Sequence, residues 1–217
     1  VALPAIQHDF MVNAVLLGWV ATSYLLATAI LLVPIGKFAD MYGRRKVFVA
    51  GIVVFTVGAA LSVFVPSIQW FIGMRVFQGL GAAMFLTTGM AILTSVFPPD
   101  KRGRAIGILV TAVYVGLATG PFAGGLLTQY LGWRSIFVVI SLFGGASIFV
   151  TWRYLKGEWA EGGEQRFDIA GSIVYALAIF SLVYGGTRMP EVLGGALVLA
   201  GALALLIFFK LQKSTQN

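Results

Sequence analysis

Residues 10–36, FMVNAVLLGWVATSYLLATAILLVPIG, run for 27 positions without a charged side chain. A bilayer core about 30 Å thick is crossed by roughly 20 apolar residues in a helix, so this stretch holds one complete span. Residues 37–46, KFADMYGRRK, follow at once with four bases and one acid. The alternation then repeats outward along the chain. Lys46 to Arg75 encloses 28 uncharged residues, Arg75 to Asp100 24, Arg104 to Arg134 29, and Arg134 to Arg153 18. Asp168 to Arg188 encloses 19, and Glu191 to Lys210 18. Within lipid every backbone N–H and C=O must be paired inside the protein, which leaves helices or a closed barrel. Unbroken apolar runs, with no period-two alternation, exclude the barrel.

Composition agrees. Of 217 residues 59% are hydrophobic and 11% charged, against roughly 25% charged in an ordinary soluble domain. So few charges cannot cover the surface of a water-soluble fold. This excludes a soluble enzyme and a soluble nucleic-acid binder despite a net charge of +7. With no cysteine, disulfide frameworks, thiolate metal sites and Cys nucleophiles are excluded as well.

The expected fold is an all-α polytopic membrane protein with seven complete spans, at 14–35, 47–65, 70–96, 104–127, 134–153, 169–187 and 191–209. Pro66 and Ser67 split the long stretch before Asp100, because Pro cannot continue a helix. Basic residues give the orientation. Twelve of the fifteen Lys and Arg fall on one side, in residues 37–46, 98–104 and 154–168, at Arg153 just before the last of these, and at the C-terminus. Only Arg134 and Arg188 fall on the other side, and Arg75 lies inside a span. The first set is therefore cytoplasmic. The excess charge is an orientation signal, with attraction to an anionic lipid bilayer, and does not indicate nucleic acid. The segment Val1–Pro4 reads as the tail of a span whose body lies upstream, so the chain reads as a fragment.

Arg75 is the most expensive residue in the sequence. An Arg at mid-helix costs roughly 2.5–3.5 kcal/mol on insertion scales. Gln78 and Gly79 follow at i+3 and i+4, then Ala82 and Ala83, so one helix face is charged, polar and then small. Two readings are open: snorkelling to the headgroups, or a cation facing a transport pathway with a carboxylate partner outside these spans. The fourth span carries Gly116, Gly120 and Gly124 at four-residue spacing, with Pro121 and Gly125 among them. That spacing lets backbones approach closely, and Pro121 removes a helical hydrogen bond. It reads as generic packing or as a flexing point between bundles. In residues 36–46, Gly36 and Gly43 permit tight turns at helix ends, and Arg45 adds to the basic cluster. Asp40 and Arg44 are at i, i+4 and pair if the segment is helical; an exposed pair of that kind is worth at most about 1 kcal/mol.

Trp19, Tyr24, Phe85 and Tyr114 are packing or interface anchors, or line an apolar substrate cavity. His8 is a lone His in a non-cytoplasmic loop. Glu158, Glu161 and Glu164 read as a solvated face beside the membrane. The sequence contains no nucleotide loop, metal-ligand cluster or catalytic triad, so no cofactor and no metal is expected.

These segments together resemble the major facilitator superfamily, and within it the 14-helix drug:proton antiporters. Residues Gly36–Lys46 are similar to its signature between helices 2 and 3. Arg75-Val-Phe-Gln78-Gly79-Leu-Gly81-Ala-Ala83 is similar to its helix 4 motif. Gly116-Leu-Ala-Thr-Gly120-Pro121-Phe-Ala-Gly124-Gly125 is similar to its helix 5 antiporter motif. Val1–Ile6 and Trp19–Leu26 resemble the end of helix 1 and part of helix 2. Only about 15 residues separate the sixth helix from Phe167–Gly171, which resembles the start of the first of two extra helices. The resemblance implies a six-helix bundle over 1–156, with its first helix truncated, and a linker plus two extra helices over 157–217. The C-terminal bundle of the same protein would be missing. It implies a multi-pass plasma or inner membrane protein that exports a small hydrophobic or cationic molecule in exchange for protons. Arg75 and Gln78 would serve proton coupling, Asp40 and Arg44 a cytoplasmic gate, and the glycines around Pro121 a bend against the other half. Met41 and Phe38 depart from the signature, where Arg and Leu are usual. Other readings are a transporter of one specific metabolite and a non-transporting membrane sensor or assembly subunit.

Overall fold

The computed structural model describes residues 2–158 and 168–215, with side chains to Lys210. Eight helices follow one another: α1 (Leu3–Phe10), α2 (Ala14–Tyr42), α3 (Arg44–Ser62), α4 (Ile68–Val96), α5 (Pro99–Leu131), α6 (Arg134–Tyr154), α7 (Ile169–Thr187) and α8 (Val192–Thr215). Seven of them, α2 to α8, are long and apolar enough to cross a membrane. The chain is a multi-pass membrane protein.

Polar residues at the span edges start the helices. The Asn13 side chain accepts a hydrogen bond from the Leu16 N–H at 2.9 Å, and the Asp168 carboxylate accepts from the Gly171 N–H at 2.7 Å. Each satisfies one of the N–H groups that a helix leaves unpaired at its start. Pro99 begins α5, where a missing N–H costs nothing.

Several boundaries differ from the sequence expectation. The charged segment 37–46 is not a loop. Helix α2 runs through it to Tyr42, and α3 begins at Arg44, so Gly43 alone joins them. Gly43 adopts φ +111°, which only glycine takes without strain. Gly36 ends no helix; it lies within α2, where a Cβ would come 3.1 Å from Thr87 of α4. Helix α5 is also longer than 104–127, because the solvated stretch before Arg104 continues it back to Pro99. Charged and polar residues form helix readily once outside lipid, so apolar length underestimates helix length.

Helix α4 is the centre of the packing, between α2 and α3, while α6 lies against α3 and α7 against α2. Glycines set these crossings. A Cβ on Gly81 would lie 2.5 Å from the Phe55 backbone nitrogen, and one on Gly51 2.9 Å from the Gly81 carbonyl. Helices α3 and α4 therefore touch backbone to backbone, the way helices associate where lipid supplies no hydrophobic drive. Gly185, Gly194 and Gly201 bring α7 and α8 together in the same way. Helix α7 is tied to α2 by the Tyr175 hydroxyl donating to the Ala29 carbonyl at 3.1 Å and by Lys37 and Asp168 at 4.0 Å.

At the end opposite the basic segments, Phe10, Phe71, Trp133 and Phe137 pack ring against ring, with centroids 5.1–6.5 Å apart. Beside them Asp9 accepts hydrogen bonds from the Trp133 indole at 3.1 Å and from the Arg134 guanidinium. Helix α5 is the exception in the bundle, with no buried residue along its 33.

Candidate functional site

The site is built where α2 meets α4. Gly79 is the enabling residue, since a Cβ there would lie 2.7 Å from both the Ala27 Cβ and the Tyr24 carbonyl. The two helices come close enough for side chains of one to reach the backbone of the other. Thr28 donates to the Tyr24 carbonyl at 2.8 Å and lies 3.3 Å from the Gly79 carbonyl. One turn away, Arg75 uses the same closeness. Its Nε donates to the Val20 carbonyl of α2 at 3.1 Å, and one terminal nitrogen donates to the Gln78 amide oxygen at 2.8 Å. Its guanidinium carbon lies 4.4 Å from the centre of the Tyr24 ring, within cation–π range. Arg75 is half-buried and Gln78 fully buried.

Arg75 makes no ion pair among the described residues. It is held by a carbonyl, an amide and an aromatic face, all neutral, so its charge is solvated but not cancelled. The Gln78 Nε2 group is buried and meets no acceptor among the described residues, while Gly58 of α3 makes room for the side chain. A buried unpaired donor typically costs about 1–3 kcal/mol. The neighbourhood is thus a fixed cation beside an unused donor, both suited to an anionic or acceptor group.

Near the basic end, Arg44 and Asp40 form a hydrogen-bonded ion pair at 2.7 Å, with Arg44 also 3.5 Å from the Ser95 hydroxyl of α4. Asp40 lies in the last turn of α2 and Arg44 opens α3, so the pair bridges the break at Gly43 and does not share one helix face. Arg45 points elsewhere. Its Nε donates to the Leu155 carbonyl at the end of α6 at 2.6 Å, and its backbone N–H donates to Glu158 at 2.9 Å. Glu158 is exposed, as a solvated face requires, and is in addition engaged with α3. Glu161, Glu164 and Arg166 lie outside the described residues.

The glycines of α5 look outward. A Cβ on Gly116 or Gly120 would meet nothing within 4 Å, and one on Gly124 only Ile136 at 3.9 Å. Pro121 lies exposed inside a continuous helix, and Gly125, one turn on, is half-buried. Beyond that α6 contact at Gly124, no helix among the described residues closes against the stripe at Gly116 and Gly120.

Trp19, Tyr24 and Tyr114 are not brought together. Tyr24 covers Arg75. Trp19 faces α7, 6.0 Å from the Tyr184 ring, in a cleft of about 430 Å³ shared with Arg188 and Glu191. Tyr114 is exposed on α5. Phe85 packs edge-on to Phe55 at 5.5 Å and lines an apolar cleft of about 640 Å³ between α3, α4 and α6. Sequence reasoning missed Asp9, Arg134 and Glu158 as partners. For Asp9 and Arg134 a signal existed: they carry opposite charge on the side where charge is scarce.

A bundle of membrane-spanning helices that holds an unneutralised cation inside it defines a polytopic membrane protein with a charged interior site. The family model for the Major Facilitator Superfamily matches residues 1–209, and the chain belongs to that superfamily, whose members are transporters and not enzymes. The chain is 38% identical over 193 residues to the multidrug resistance protein Stp of Mycobacterium tuberculosis (strain CDC 1551 / Oshkosh), covering 88% of this chain and 36% of that protein. It is 34% identical over 204 residues to the tetracenomycin C resistance and export protein of Streptomyces glaucescens, covering 94% and 38%. It is 29% identical over 211 residues to the riboflavin transporter RibZ of Clostridioides difficile (strain 630), covering 97% and 45%. The chain thus spans less than half the length of these relatives. Among solved structures it is similar in fold to a bacterial homologue of the human lysosomal transporter Spinster in an inward-facing, occupied conformation. That likeness has a TM-score of 0.57 at 18% identity and covers 94% of this chain and 54% of the other.

Proposed function

We propose that the full-length protein exports hydrophobic or cationic drugs by proton-coupled alternating access. The observation that carries this reading is Arg75, a guanidinium inside the bundle held only by neutral groups. In this reading a carboxylate outside the described residues faces Arg75 and Gln78. It is a better acid beside that cation than it would be in apolar surroundings, so protons load and leave within the working pH range. Each proton moving down 100 mV yields about 2.3 kcal/mol, enough for roughly fiftyfold accumulation of a neutral substrate exchanged one for one. The open glycine stripe of α5 receives the second bundle of the same protein, and Asp40 with Arg44 closes the cytoplasmic side. Residues 1–156 form the first bundle and 157–217 a linker with two added helices, in a cell membrane with 37–46, 98–104, 154–168 and the C-terminus cytoplasmic. The multidrug resistance named for the Mycobacterium relative and the resistance and export named for the Streptomyces relative support a drug substrate. The likeness to a riboflavin transporter supports a second reading, transport of one specific metabolite, since fold does not fix substrate.

The test is dye efflux from energised cells or vesicles carrying the full-length protein, with and without a protonophore. Arg75→Ala is expected to abolish uncoupler-sensitive efflux while leaving membrane insertion intact. Unchanged efflux in that variant overturns the reading.

A further inference from the structure

Helix α3 begins without a cap of its own. Its N-cap residue is Gly43, which has no side chain to offer the first turn. The acceptor arrives from 113 residues away: Glu158, just beyond α6, takes the Arg45 N–H at 2.9 Å. Gly43 is what admits it. A Cβ at Gly43 would lie 2.6 Å from the Glu158 carboxyl carbon and one of its oxygens. A second tie runs beside the first, the Arg45 guanidinium donating to the Leu155 carbonyl at 2.6 Å. Arg44, one residue before Arg45, is the partner of Asp40.

The geometry points to Glu158 as a positioning residue for the cytoplasmic gate: it caps α3 from the end of α6 and so fixes where Arg44 meets Asp40. The inference deepens the transport reading above and rests on it. A carboxylate at a helix N-terminus both accepts the orphan hydrogen bond and meets the positive end of the helix. Here it also joins two elements far apart in sequence. A displacement of α6 at this end therefore reaches the gate pair through this carboxylate and, beside it, the Leu155 carbonyl, without touching Asp40 or Arg44.

The test uses the full-length protein in membranes and compares Glu158→Ala with Glu158→Gln, whose amide oxygen can still accept. Glu158 is exposed, so neither change empties a core. Hydrogen exchange at the Arg45 amide reads the cap without any need for transport. Glu158→Ala is expected to speed that exchange by about fivefold, the scale of an ordinary N-cap, and to slow dye efflux at unchanged KM. Glu158→Gln is expected to restore most of both. Equal exchange in Glu158→Ala and the unmutated protein overturns the cap. Faster exchange with unaltered turnover overturns the positioning role. Absence of efflux in the unmutated protein overturns the transport reading and the gate role with it, while the exchange measurement still decides the cap.

Discussion

Asp9 and Arg134 stand 125 residues apart in sequence and meet as a hydrogen-bonded ion pair, with the Trp133 indole on the same carboxylate oxygen. The contact ties the end of α1 to the start of α6. The Arg134 hydrogen bond, reinforced by that of Trp133, holds the Asp9 carboxyl below its ordinary pKa. A carboxyl with a depressed folded-state pKa stabilises the fold above its unfolded value, near 4, and that contribution is lost as pH falls through the lower folded value. The pair is partly exposed, so its worth is about 1 kcal/mol or less. Asp9→Asn should lower thermal stability in detergent at pH 7, and by less near pH 2. An equal gap at both pH values would falsify the assignment.

Gly81 and Gly18 offer a contrast within one bundle. Gly81 faces backbone at the α3–α4 crossing, whereas a Cβ at Gly18 would meet nothing within 4 Å. Gly81→Ala should destabilise by about 1–3 kcal/mol through overpacking. Gly18→Ala should be neutral or stabilising, because alanine favours helix. Thermal unfolding of the two variants checks this, and equal losses would rule out the crossing as the cause.

Arg75→Lys keeps the charge and loses the fork. Two of the contacts of Arg75 are directional bonds from separate nitrogens, to Val20 and to Gln78. A lysine ammonium is a single point with a different reach. Efflux should therefore fall nearly as far as in Arg75→Ala. Full activity in Arg75→Lys would mean that charge alone suffices.

Gly120→Leu separates folding from transport. In this chain a side chain at Gly120 enters open space, so the stability of residues 1–217 expressed alone should not fall. In the full-length protein the same change should abolish efflux by obstructing the second bundle. A collapse of the short chain would show that α5 packs differently.

Asp40→Asn removes the acid of the proposed gate pair while leaving a hydrogen-bond acceptor for Arg44. The stability change should be within about 1 kcal/mol. Turnover should drop by about tenfold, the usual scale for a coupling contact. Comparing melting temperature with efflux rate in one preparation distinguishes a gate from an ordinary surface pair.

The seven spans were legible in the sequence because lipid imposes a minimum apolar length, and charge spacing reports it directly. The face of Arg75, Gln78 and Gly79 was legible too, since helical periodicity places those three together. The partners Val20 and Tyr24 were not, because contacts between α2 and α4 depend on the crossing that Gly79 sets. Residues 36–42 were misread as a loop, since charge marks where lipid ends and not where a helix ends. Trp19 could not be told from a cavity residue, because an aromatic serves packing and binding equally well. Its place against Tyr184 follows from where α7 lies, which no periodicity encodes. Glu158 carried no local signal at all, because its acceptor role exists only where the end of α6 meets the start of α3.

The single glycine between α2 and α3 leaves no slack in the chain. Two rods of 29 and 19 residues share an elbow one residue long, and consecutive Cα atoms are fixed about 3.8 Å apart. Whatever tilts the first rod must drag the foot of the second. The pair works as a bent crank, and its throw is governed by whatever grips the elbow.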